Sequence, residues 1–597
     1  MARNKFDIDE TLESPFNINH LKRSMVYINR YKGQMILALS LSLIAVFCAL
    51  ITPQITKYML DVIVPEKDLW MLLVFVILLT LSIVLNIFLN VMRSRITARV
   101  GQNIVYDIRQ DLFEHLQQLP FAYYDSRPHG KILVRVVQYV NNVSDMLSNG
   151  IINFVLEICN LIFVAVFMFL TDAKLACVII AGLPILAAIV LAIKPAQRKA
   201  WQIQSNKNSN MNAYIHESIT GASVTQIFAR EKVNAGIADT QFENVRKSFM
   251  KAVFISNWVW VSVEIISVAI QACIYGFGIL VFQPMITFGT AVAMCDYSQR
   301  FWRPITNLAN LYNNLINTMA YLERIFETID EPVDIQDSEG AYALPPIKGE
   351  VEFKDVVFEY EPGHPILNHM SFRVKPGENI ALVGPTGAGK TTVINLISRF
   401  YDISSGQVLI DGHEVSKVTL NSLRSQMGVM LQDSFIFSGN ILENIRYGKL
   451  DATMDEVISA ARTVKADEFI QQMEDGYKTE VNERGSRLSQ GQKQLVSFAR
   501  TLIADPKILI LDEATSSIDT KTERLMQQGL NELMRGRTSF IIAHRLSTIQ
   551  SCDRILYIAD GVIKESGSHE ELLAKKGLYY DLYMAQKQDA GIAVSAD

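Results

Sequence analysis

Three stretches of this chain contain no charged side chain over the length of a membrane span: Gly33–Thr56, Leu69–Met92 and Leu175–Ile193. A bilayer core accepts about 20 such residues as a helix, because every backbone amide must find its partner inside the segment. These runs therefore fold as spanning helices. A fourth run, Ile151–Thr171, contains a single acid, Glu157, and the longer run Ile265–Cys295 is interrupted at Gln283-Pro284. A proline there predicts a hairpin between two further spans. The expectation is six spans.

The residues before the first run are charged and lack an apolar segment ending in small residues, so no cleavable signal is read there. Lys22, Arg23, Arg30 and Lys32 precede the first span, and Arg93, Arg95 and Arg99 follow the second. The short segments KYMLDVIVPEKD, TDAK and FQPM carry little net positive charge. The positive-inside rule then predicts a multi-pass protein of the cell membrane, in contact with lipid, with both termini in the cytoplasm. Two polar segments on that side, Arg93–Ser148 and Lys194–Lys251, are too long for turns and carry amphipathic patterning, as in IVYDIRQDLFEHLQQLPFAYY. The spanning helices are expected to run on into water.

Charge inside such spans is expensive, costing a few kcal/mol on insertion scales. Glu157, Glu264, Asp296, Arg300 and Arg303 lie in or near the runs, and Asp296 and Arg300 stand four residues apart in CDYSQRFWRPI. They are expected to face a cavity or one another, as an ion pair or as contacts to a substrate. The cysteines Cys48, Cys159, Cys177, Cys273 and Cys295 sit in apolar runs and Cys552 stands alone, so they read as small buried apolar residues. A net charge of −5 with both signs interspersed gives no basic stripe, and no nucleic-acid partner is expected.

A chain of 597 residues suggests several domain-sized units. The segment DEPVDIQDSEGAYALPPIKGE collects acids, glycine and paired prolines, which suit neither a helix nor a central strand. It divides the chain into a membrane domain, residues 1–329, a linker, 330–349, and a soluble domain, 350–597. In the last, apolar β-runs alternate with helical patterns at the spacing of a parallel α/β sheet.

One such run, Ile380 to Val383, enters Gly384-x-x-x-x-Gly389-Lys390-Thr391, and a helix start follows. Small residues let consecutive N–H groups turn inward, and the helix N-terminus adds partial positive charge, so this loop cradles phosphates. Gly384, Thr386, Gly387, Gly389, Lys390, Thr391 and Thr392 are the candidate ATP contacts. Lys390 is expected to reach the β- and γ-phosphates and the Thr391 hydroxyl to ligate Mg²⁺. A second run, Lys507 to Leu511, ends in Asp512-Glu513. That pairing suits Asp512 to the Mg²⁺ shell and Glu513 to orienting or deprotonating the attacking water.

With those residues in place, the chain resembles an ABC half-transporter of the exporter type (type IV fold), similar to multidrug and lipid-like exporters. The resemblance rests on FKDVVFEY ending in Tyr360, the phosphate loop, VMLQDSFIF with Gln432, LSQGQ at Leu488–Gln492, the Asp512-Glu513 strand end, SSID with Asp519, and FIIAHR with His544, in that order. FAYYDSRPHG is similar to the family's first coupling segment. The fold implied is an α-helical six-span transmembrane domain fused to an α/β P-loop nucleotide-binding domain. It implies an ATP hydrolase coupled to transport, with Tyr360 stacking on adenine, Gln432 joining Thr391 and Asp512 at the metal, and Glu513, His544 and Gln432 in catalysis. Ser489 and Gly491, with Asp519 nearby, would meet ATP held by a second domain, so a second half-transporter is implied. The family signature is LSGGQ, and Gln490 replaces its first glycine. With Lys390, Asp512, Glu513 and His544 all present, the chain resembles the catalytically intact subunit of bacterial heterodimeric exporters, with a homodimer as the rival. Motion would pass through extension tips near Tyr123–Lys131 and Glu217–Ile227. The expected activity is export of amphipathic small molecules, drugs, lipids or peptides. The rivals are an importer on the same fold and an ATP-gated channel-like protein.

Overall fold

The computed structural model describes residues 18–276, 286–430, 434–512, 520–543 and 545–589. The hairpin expected at Gln283-Pro284 lies outside them. The chain divides into two compact units, in one of which Gln118–Pro128 groups with everything from Pro332 onward.

The first unit is helical. Its principal elements are α1 (Ile18–Asn29), α2 (Lys32–Tyr58), α3 (Leu69–Gln118), α4 (Ile151–Thr171), α5 (Gly182–Thr220), α6 (Glu231–Gly276) and α7 (Phe288–Ile329). The polar turns between apolar runs are set by local chemistry. Lys67 adopts a left-handed φ of 57° after α2, and the Asp68 carboxylate accepts from the N–H groups of Trp70 and Met71. Asp172 in TDAK likewise accepts from the N–H groups of Lys174 and Leu175, starting the next helix, Ala173–Ile180, which leads into α5. Such caps satisfy donors that a helix start leaves open.

Among the described residues, five helical stretches are long and apolar enough to cross a membrane: Lys32–Glu66, Leu69–Gln118, His129–Thr171, Ala173–Thr220 and Glu231–Gly276. The remaining long helix, α7, has the length, 42 residues, but not the apolarity. Asp296, Arg300, Arg303, Asn307, Asn310 and Asn314 interrupt it. At 50 residues α3 is roughly 75 Å long, more than twice the ~30 Å of bilayer hydrocarbon, and α5 and α6 are nearly as extended. These helices therefore continue past the bilayer as rods. At Gly101 in α3 two serine side chains come close: a Cβ would stand 3.0 Å from Ser148 Oγ, and Ser144 Oγ donates to the Gly101 carbonyl at 2.6 Å. Small residues at the contact let two helices approach this closely. The cysteine expectation holds for Cys295 and Cys552, but Cys177 is exposed, because an apolar span face meets lipid instead of a protein core.

The second unit contains an antiparallel sheet in the order β2 (Pro365–Val374), β1 (Val351–Glu359), β4 (Ser405–Ile410), β5 (His413–Glu414). Beside it is a six-stranded sheet, β10 (Val562–Gly567), β9 (Arg554–Ala559), β3 (Asn379–Val383), β8 (Thr538–Ile542), β7 (Ile508–Asp512), β6 (Met427–Met430), parallel except for β10. Its middle strands are buried almost throughout, as the unbroken apolar runs require. Within the segment read as linker, Leu344 and Ile347 are buried in this unit, and their N–H groups donate to Ser422 Oγ and Gln426 Oε1.

Candidate functional site

In the larger sheet β3 and β7 lie on either side of β8, so their carboxyl ends are roughly 10 Å apart, two strand spacings. The phosphate loop leaves β3 there and Asp512 closes β7. Open α/β sheets bind ligands at this edge. The loop continues into α8 (Lys390–Ile397), whose N-terminus points its free N–H groups back at it.

The glycine at the strand end is forced. Gly384 has φ +142°, and a Cβ would stand 2.0 Å from the Ile558 carbonyl oxygen of β9. Gly389 has φ +101°, and its Cβ would strike Leu367 Cδ2 at 2.7 Å. The space and the conformation are both those of glycine. Pro385, Thr386 and Gly387 are exposed at the rim. Lys390 is 9 % exposed, and its ammonium donates to the carbonyls of Gly384 and Pro385 at 2.7 and 2.8 Å, which holds it across the loop. Burial pushes this ammonium below the usual lysine range while Asp512 pulls the other way, so the two charges sense each other. Thr391 is exposed in the first turn of α8, whereas Thr392 is buried beneath Tyr360, whose hydroxyl is 3.2 Å from Thr392 Oγ1. The arrangement presents N–H donors, a cation, a hydroxyl and a carboxylate to one space. That set fits a nucleotide phosphate chain with a divalent ion.

Tyr360 is 46 % exposed, with Phe358 and Tyr401 meeting it edge-on at 4.7 and 5.0 Å, and its ring is braced for stacking. Tyr401 is a residue the sequence did not flag: besides bracing Tyr360, its hydroxyl donates to Asp125 at 3.1 Å. Beside it, Phe121 stacks on Phe400 at 5.3 Å, so the expected coupling segment packs within this unit.

Ser489 caps α9 (Gln490–Ile503): its side chain accepts from the Gln492 N–H, and the Gln492 side chain accepts from the Ser489 N–H. This reciprocal cap is worth about 1 kcal/mol and fixes the loop. Gly491 is buried, while Ser489 and Gln490 are exposed at the helix start. Arg500, further along α9, is a second residue missed. Its guanidinium donates to the carbonyls of Phe435 and Asn444 at 2.8 Å and to Asn444 Oδ1 at 2.7 Å, tying the segment after Gln432 to the signature helix. No local pattern marks such a residue, since its partners are remote in sequence. Gln432, Glu513, Asp519 and His544 lie outside the described residues.

In the first unit, the charges expected to face a cavity or one another do both. Arg300 and Asp296 pair at 3.2 Å, and the Asn307 amide donates to Glu157 at 2.7 Å. Glu157 lines one cleft with Arg300 and Arg303, and Glu264 and Asp296 line another with the same arginines.

Two family models match the chain: the ABC transporter transmembrane region over residues 35–304 and the ABC transporter model over residues 367–516. An uncharacterised ABC transporter ATP-binding protein of Bacillus subtilis (strain 168), YknV, is 40% identical over 593 residues, 99% of this chain and 98% of the relative. The chain belongs to the ABC transporters. A fatty acid ABC transporter ATP-binding/permease protein of Mycobacterium tuberculosis is 38% identical over 485 residues, 81% of this chain and 76% of the relative. Among solved structures, a bacterial Atm1-family ABC exporter with ATP bound superposes with a TM-score of 0.77 at 28% identity, covering 96% of this chain and 99% of that one. This ABC transporter is a multi-pass membrane protein of the exporter type, and it uses ATP, whose hydrolysis is coupled to export. ABC exporters work as dimers, and this chain has one membrane half and one ATP-binding half.

Proposed function

We propose that this chain is the catalytically intact half of an asymmetric exporter of amphipathic molecules. Its phosphate loop and Asp512-Glu513 strand end would pair with a partner's signature loop, and its own LSQGQ loop would form the weaker ATP site. The supporting observation is Gln490, an exposed side chain at the start of α9 where the family has glycine, on a loop whose Ser489 cap is otherwise intact. A side chain there hinders the close approach that an opposing nucleotide requires. The competent site would use Tyr360 against adenine, Lys390 and the loop N–H groups on the phosphates, Glu513 and His544 beside the attacking water, and Asp519 at the dimer seam. Mg²⁺, held by Thr391, Gln432 and Asp512, would neutralise charge on the phosphates. The Lys390 ammonium is already desolvated, which strengthens its hold on a phosphate.

The nucleotide-binding domain and both termini would face the cytoplasm, consistent with the basic residues flanking the first two spans. Coupling would pass through the two extension tips. The first has Asp125 and Phe121 against Tyr401 and Phe400. The second exposes Ile219, Val224, Ile227 and Phe228, an apolar cluster suited to docking on a partner half. The chain would comprise a membrane domain, 1–329, and a nucleotide-binding domain, 350–597, joined by 330–349.

Purifying the chain expressed alone and measuring its mass and ATPase rate tests this reading. A monomer, or a dimer with little turnover until a second half-transporter is added, is the expected result. A stable homodimer with full, substrate-stimulated hydrolysis at two equivalent sites contradicts it.

A further inference from the structure

The membrane unit contains a cleft of about 330 Å³ between α2, α3, α4 and α7. A second, of about 730 Å³, lies between α6 and α7, and the two share Arg300, Arg303 and Asn307. Amides and guanidinia dominate the polar lining of the smaller cleft, with Asn86, Asn90, Asn153 and Asn160 among them. That polarity, among spans otherwise apolar, is costly unless something uses it.

The charges do not balance within the smaller cleft. Arg93, Arg300 and Arg303 line it against one carboxylate, Glu157, which the Asn307 amide already engages at 2.7 Å. Arg300 is paired to Asp296 at 3.2 Å. Arg93 donates once, to Asn153 Oδ1 at 3.2 Å, and its Nε is buried without a partner. Arg303 is exposed and has no side-chain partner among the described residues. Two guanidinia are thus left with unused donors at the cleft, and a guanidinium matches a carboxylate or phosphate with paired N–H groups. Val46, Leu50 and Leu156 give the same cleft an apolar wall, and Trp260 and Trp302 do so for its neighbour.

We propose that this cleft is the head-group site for an anionic amphiphile, whose carboxylate or phosphate sits between Arg93 and Arg303 while its chain lies along the apolar wall. This deepens the export reading, since it names the class of molecule the export path would take. The anion supplies the charge that Arg93 and Arg303 lack. An amphiphile with a cationic head group would instead meet an excess of like charge.

Equilibrium binding of radiolabelled laurate to the transporter in nanodiscs of zwitterionic lipid, without ATP, tests this. Laurate is expected to bind at least about tenfold more tightly than methyl laurate or dodecyltrimethylammonium, the worth of one charge-assisted contact. Arg303→Gln and Arg93→Gln are each expected to weaken laurate about tenfold and to leave methyl laurate unchanged, while Arg303→Lys keeps most of the affinity. If a glutamine variant fails to fold, the wild-type ranking of the three head groups decides alone. Equal binding of all three, or preference for the cation, overturns the proposal. Displacement of laurate by phosphatidylglycerol added to the disc assigns the site to a lipid head group, and its persistence assigns it to a free amphiphile. Laurate that binds but is not moved by ATP in inside-out vesicles refutes its export and leaves the site standing. ATP-driven movement of uncharged amphiphiles without laurate binding does the reverse.

Discussion

Replacing Gly384 by alanine should disable ATP binding through a collision that no neighbour can relieve. The new Cβ would stand 2.0 Å from the Ile558 carbonyl oxygen, a contact that must open by at least about 1 Å. Ile558 belongs to β9, which is held in register with β3 by Leu382 opposite Leu556 and Val383 opposite Tyr557. The carbonyl cannot retreat, so the loop must. A displacement of about 1 Å takes an N–H donor from ~2.9 to ~3.9 Å from a phosphate oxygen, beyond hydrogen-bond reach. Losing one charge-assisted bond costs about 1.5–3 kcal/mol, and the φ of +142° adds about 1–3 kcal/mol for any residue but glycine. A loss of at least roughly 100-fold in ATP affinity follows from about 3 kcal/mol, near the lower end of that sum. Gly387 is the matched control: it too has a positive φ, +82°, but a Cβ there meets nothing within 4 Å. Gly387→Ala should lose less than about tenfold, the cost of the backbone conformation alone. Titration of the purified transporter with a fluorescent ATP analogue measures both, and thermal unfolding without nucleotide separates binding from stability. If Gly384→Ala bound ATP within about threefold of wild type, or no worse than Gly387→Ala, the collision with Ile558 would not govern the loop.

Arg500→Lys should destabilise the protein by about 2–4 kcal/mol, because an ammonium cannot serve the three acceptors at Phe435 and Asn444 that the guanidinium fork reaches. An unchanged unfolding temperature would remove Arg500 from the account. Tyr401→Phe deletes the donor to Asp125 but keeps the ring edge on Tyr360, so ATP affinity should stay within about twofold while the transport per ATP hydrolysed falls. Equal ratios of transport to hydrolysis in the two proteins would refute that link. Chelating divalent ions should stop hydrolysis and spare most nucleotide binding, and turnover that survives EDTA would contradict the metal role given to Thr391 and Asp512.

The spans and the nucleotide loop were legible because each is a local pattern with one physical solution. A charge-free run such as Leu69–Met92 must be a helix in lipid, and Gly384 to Thr391 after an apolar β-run must turn its amides inward. What the sequence concealed depends on contacts between distant segments. The polar face of α7 reads as a poor span until Asn307 is seen on Glu157 and Arg303 at the cleft. Tyr401 reads as one more aromatic until Tyr360 and Asp125 flank it. Leu344 and Ile347 read as linker because the prolines beside them dominate composition, yet both bury their side chains and donate their N–H groups to Ser422 and Gln426.

ATP hydrolysed at the site built by this chain's Lys390, Asp512 and Glu513 is expected to drive export, and transport into inside-out vesicles measures it. A panel of labelled anionic, neutral and cationic amphiphiles is supplied with ATP, with a non-hydrolysable analogue, and with ATP over vesicles of the Glu513→Gln variant. Accumulation above the external level of at least one amphiphile is expected with ATP and wild-type protein only. Accumulation that persists with the analogue or with Glu513→Gln would contradict an ATP-driven pump.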